Sequence, residues 1–108
     1  MSIFFWKKTK QIDAFAQAVA DELYSYVQPD VAKAYFQNRS DKSKKKQHKI
    51  EQKLADVITE FRRFSEANSL GIYGKARLQQ QFDVRLRELG YDASVTSRLI
   101  EITSLANP

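Results

Sequence analysis

The stretch Ile12-Asp13-Ala14-Phe15-Ala16-Gln17-Ala18-Val19-Ala20-Asp21-Glu22-Leu23-Tyr24-Ser25-Tyr26-Val27 decides the fold class. Its apolar residues fall at 12, 15, 16, 19, 20, 23, 26 and 27. Gaps of three and four residues place them along one side of a helix, so the pattern predicts a helix that buries that side. Thr9 is the expected N-cap, and Gln28-Pro29 the expected stop, because proline forces its predecessor into extended backbone.

The same reading extends along the chain. A short helix is expected from Pro29, where a missing N–H costs nothing, with Val31, Ala34 and Tyr35 turned inward. Asn38-Arg39-Ser40-Asp41 reads as a break. Beyond it Ile50, Leu54, Val57, Ile58, Phe61 and Phe64 repeat at helical spacing, predicting the longest helix from Ser43 to near Asn68. Ser69-Leu70-Gly71 and Gly74 mark a turn. Leu78, Phe82, Leu86 and Leu89 form a fourth stripe closed by Gly90, a suitable left-handed cap. Asp92 or Ser94 can cap a last helix carrying Val95, Leu99, Ile102 and Ala106. No segment alternates with period two. The expected class is all-α, a single-domain bundle of four to five helices over residues 1–108. Residues 1–8 read as an apolar N-terminal arm and 38–43 as a loop before a long helix with a basic start.

Composition narrows the function. At 108 residues and 43% hydrophobic content, the chain has one core's worth of material. Without cysteine it has no disulfide, zinc–thiolate site, iron–sulfur cluster or thiol nucleophile, which fits a reducing cytoplasm. Lys7-Lys8 follow the first apolar residues instead of preceding them, the reverse of a signal peptide, so export by that route is not expected. His48 is the only histidine. It reads as an exposed helix residue, and no metal, cofactor or catalytic constellation is expected. The longest apolar run, Ile3-Phe4-Phe5-Trp6, is far shorter than the roughly 20 residues that span a bilayer.

Charge supplies the first candidate site. Residues 33–53 hold eight cations (Lys33, Arg39, Lys42, Lys44, Lys45, Lys46, Lys49 and Lys53) against Asp41 and Glu51, a net of +6 in a chain of +5. Lys42/Lys46, Lys45/Lys49 and Lys49/Lys53 are four apart and repel on a helix by about 0.2–0.5 kcal/mol per pair. Cations at a helix start also oppose its dipole. Local stability does not favour this arrangement, whereas an anionic partner would. Lys42, Lys44, Lys45, Lys46, Lys49 and Lys53 are therefore the candidate contacts to nucleic acid or another polyanion. Tyr35 and Phe36, the nearest aromatic residues, read as core.

A second candidate is the strip Phe4, Phe5, Trp6, flanked by Ile3 and Lys7-Lys8. Burial beneath the bundle is one reading. The other is an interaction strip for a partner protein or a membrane surface, in which case the chain is a scaffolding module. The long third helix offers a surface for a homo-oligomer. Finally, the corner from Leu86 to Leu99 resembles the turn of a DNA-reading helix-turn-helix, which implies Ser94, Ser97 and Arg98 as base or phosphate contacts. Leu86 and Thr96 depart from that pattern. The leucine-glycine-aromatic corner also resembles the first turn of ubiquitin-associated-type domains, which need a third helix. A glycine-capped helical hairpin accounts for the same residues.

Overall fold

The structure is a computed structural model that describes residues 3–37 and 44–105; the side chains of residues 3–7, 44, 46 and 105 are outside that description. Five helices follow one another: α1 (Ile3–Tyr26), α2 (Pro29–Gln37), α3 (Lys44–Ala67), α4 (Ile72–Glu88) and α5 (Ala93–Leu105). The all-α bundle anticipated from periodicity is the fold. Among the described residues there is no strand.

Three polar contacts fix how α1 meets α4. Arg77 holds Asp13 through both oxygens at 3.0 and 2.8 Å, Arg85 holds Asp21 at 2.8 Å, and the Tyr91 hydroxyl donates to the Val27 carbonyl. Each pair is 64 residues apart, so α1 and α4 run parallel in constant register. Phe15 meets Phe61 and Phe64 while Glu22 meets Lys53, so α3 runs antiparallel to α1. Gln79 reaches Ile100 and Thr103, and α5 returns antiparallel to α4. Around the bundle the order is α1, α3, α5, α4, with α2 laid against α5 at one end.

The core follows the predicted stripes: Ile12, Ala16, Val19, Leu23, Ile50, Val57, Phe61, Leu78, Phe82, Leu86, Val95 and Leu99 are buried. Phe61 is the hub, with ring centroids 5.9 Å from Phe15 and 5.0 Å from Phe82. Gly90, at φ +98°, closes α4: its amide donates to Arg87 and that of Tyr91 to Leu86, as a Schellman motif requires. Asp92 caps α5 by accepting from the Ser94 amide at 3.1 Å.

Several expectations need correction. Thr9 is not an N-cap, because α1 already begins at Ile3, and residues 3–8 of the expected arm are its first turns. The register in α2 is off by a step: Ala32 is buried, Val31 and Tyr35 are half-buried, and Ala34 faces solvent. Tyr26 is mostly exposed, with the Lys53 ammonium 4.5 Å from its ring centre. Thr96 and Thr103 are buried although polar, because each hydroxyl returns a hydrogen bond to its own helix, to Ala93 and Leu99 respectively. The expected break at 38–43, the helix start at Ser43 and the apolar Ala106 lie outside the described residues.

Candidate polyanion-binding site

The lysine cluster occupies the first two turns of α3, at the end of the bundle where α1 and α4 finish. Lys45 and Lys49 are exposed and form no ion pair among the described residues. Lys44 and Lys46 are placed by the α3 backbone alone, and Lys42 lies outside the described residues. His48 is exposed on the same turns.

Lys53 does not join this group. Its side chain is only 9% exposed, its ammonium is bonded to the Glu22 carboxylate, and it sits over the Tyr26 ring. The reason is helical geometry: position 53 lies on the side of α3 that turns toward α1, where Glu22 supplies the counter-charge. The same seam raises the carboxyl of Glu60 above the ordinary range, first through partial burial and then through the neighbouring Glu22. Lys53 is a structural cation.

The other basic side chains divide similarly. Arg77 and Arg85 join α4 to α1, Arg87 pairs with Asp83 at 3.2 Å, and Arg98 lies 3.7 Å from Glu101. Arg62 and Arg63 are exposed but sit near the opposite end of α3. Arg98 shares a surface feature with the first turns of α3. It lines an open groove of about 340 Å³ with Tyr35, Phe36, Gln47, Glu51 and Leu54. Tyr35 and Phe36 are therefore groove walls as well as core, with rings packed edge to face at 5.0 Å.

The helix-turn-helix-like corner is a glycine-capped hairpin in which Thr96 is buried while Ser94, Ser97 and Arg98 are exposed. Ser94 is occupied with Asp92, whose carboxyl its hydroxyl and amide hold below the ordinary range. Among the described residues no three His, Asp or Glu side chains come together as metal ligands, and no helix is long and apolar enough to cross a membrane. Phe4, Phe5 and Trp6 lie on the first turns of α1, with side chains outside the description. Comparison with protein-family models, curated proteins and solved structures brings no match, so any functional reading rests on this chain's own residues.

Proposed function

We propose that the protein is a small non-enzymatic binding protein that contacts a polyanion, nucleic acid foremost, through Lys42, Lys44, Lys45, Lys46 and Lys49. The observation that carries this reading is the allocation of charge. Lys53, Arg77, Arg85, Arg87 and Arg98 each have a carboxylate partner. Lys45 and Lys49 stand exposed where like-charge repulsion and the dipole of α3 both oppose them. Phosphates at this helix start would relieve both penalties.

The test is fluorescence anisotropy with labelled duplex and single-stranded oligonucleotides across a salt series. Neutralising four phosphates of a duplex gives a slope of log affinity against log salt of about −3.6. Changing Lys44, Lys45 and Lys46 together to Gln is expected to flatten that slope by roughly one unit per lost contact. Lys53→Gln is expected to lower stability and leave the slope alone. No binding at low salt, or undiminished binding by the triple variant, overturns the reading.

A further inference from the structure

At the other end of the molecule, the parallel register of α1 and α4 builds a feature that neither segment shows alone. The offset of 64 residues sets Ile72 level with Lys8. Residues 3–7 therefore carry α1 about 7.5 Å beyond the first residue of α4. Two large side chains are exposed at the foot of this projection. Ile72 is 90% exposed, the most exposed large apolar residue described, and its neighbour Tyr73 is 68% exposed. Between Tyr73 and α1 is a shallow apolar pocket of about 180 Å³, lined also by Ile12, Leu70 and Gly74.

This end is also basic. Residues 3–13 and 62–77 together carry seven cations and two anions, and one of those anions, Asp13, is already held by Arg77. A protruding helix start with the sequence Ile3-Phe4-Phe5-Trp6, a second apolar step at Ile72-Tyr73, and lysines at positions 7, 8, 10 and 75 of the same end combine the ingredients of an interfacial anchor. Apolar residues of such an anchor sit roughly 5–10 Å deep at the headgroup–acyl boundary, while lysines meet anionic lipid. The 7.5 Å projection matches that depth.

We infer that this end docks on an anionic lipid surface, with the first turns of α1 entering the interface until Ile72 and Tyr73 meet it. The inference is independent of the lysine cluster on α3, which lies at the opposite end of the bundle.

Co-sedimentation of the intact protein with vesicles tests it, using phosphatidylcholine alone and phosphatidylcholine with roughly one third phosphatidylserine. Trp6, the only tryptophan, reports insertion by a blue shift in its emission. The expected result is binding and a blue shift with the anionic vesicles only. The double variant Ile72→Ser/Tyr73→Ser, with both sites exposed, should bind more than about tenfold more weakly while keeping a helical circular dichroism spectrum. Lys45→Gln/Lys49→Gln should bind vesicles as the parent does. Absence of binding to anionic vesicles overturns the inference and leaves a protein surface as the alternative. Undiminished binding by the Ile72/Tyr73 variant also overturns it. If the Lys45/Lys49 variant alone loses binding, the vesicle contact belongs to the α3 cluster instead.

Discussion

Tyr91 ties the end of α4 to the end of α1 with one side chain. It follows the cap of α4, packs edge-on against Tyr24 at 6.3 Å, and donates its hydroxyl to Val27 beyond the end of α1. Tyr91→Phe keeps the ring and leaves that carbonyl without its donor, an expected loss of about 1–3 kcal/mol by denaturant unfolding. Burial, and secondarily Tyr24, push the phenol well above its usual range, so the folded protein holds a proton that the unfolded chain releases near pH 10. Stability from this group is fully present below about pH 10 and is lost as pH rises toward the folded value. The parent should therefore lose stability faster above pH 10 than Tyr91→Phe; identical alkaline profiles would refute the assignment. Ser69 is a different case. It holds φ +50° where its amide donates to Glu66 and that of Leu70 to Ser65, the same motif that Gly90 closes on α4. Ser69→Gly is expected to add about 1 kcal/mol, because only glycine adopts this conformation without steric cost. Gly90 was legible as a cap from its identity. Ser69 was not, since serine gives no sign of a left-handed backbone.

At the scale of elements, the helices were legible because each has its own apolar period, while their pairing was not. Periodicity names the side a helix buries and is silent about what covers it. Asp13 and Asp21, paired with Arg77 and Arg85, set the parallel register of α1 and α4. These pairs are partly exposed, so each is worth well under the energy of a core contact, and their role is register more than stability. The seam of α4 and α5 depends on Gln79, whose amide reaches Thr103 at 3.1 Å while accepting from Ser104 at 2.8 Å. Gln79→Ala is expected to cost about 1 kcal/mol, since the Thr103 hydroxyl keeps its bond to Leu99. Asp92→Ala should lower the melting temperature at neutral pH through loss of the α5 cap. Because hydrogen bonds from Ser94 depress the Asp92 carboxyl, its contribution is present above the unfolded carboxylate range and lost as pH falls through the folded value. The parent and variant melting curves should therefore converge in acid.

Across the whole molecule, folding redistributes the charge that the linear count had divided into a basic segment and a near-neutral remainder. That remainder is itself polarised: a basic end is formed by the start of α1, the α3–α4 corner and Lys75, while further along α1 Asp21 and Glu22 are paired with Arg85 and Lys53. The linear count missed this because the basic end draws on segments some 60 residues apart. The core has the opposite character, since its centre was legible in advance. Phe61 is fully buried, and its ring lies between Phe15 and Phe82, so a single side chain links α1, α3 and α4. Phe15 in turn stacks on Phe64 at 4.0 Å, which carries the contact along α3. Truncating Phe61 to Ala removes the shared partner of two rings anchored on different helices, and the parallel register of α1 and α4 prevents either from closing the gap. The expected cost is about 3–5 kcal/mol, against roughly 5–15 kcal/mol for a whole domain. Chemical denaturation followed by circular dichroism and by Trp6 emission should give coincident transitions for the parent and a much lower midpoint for Phe61→Ala. An unchanged midpoint would mean that α1, α3 and α4 do not share this core. Separate transitions by the two probes would mean that the first turns of α1 unfold apart from the bundle.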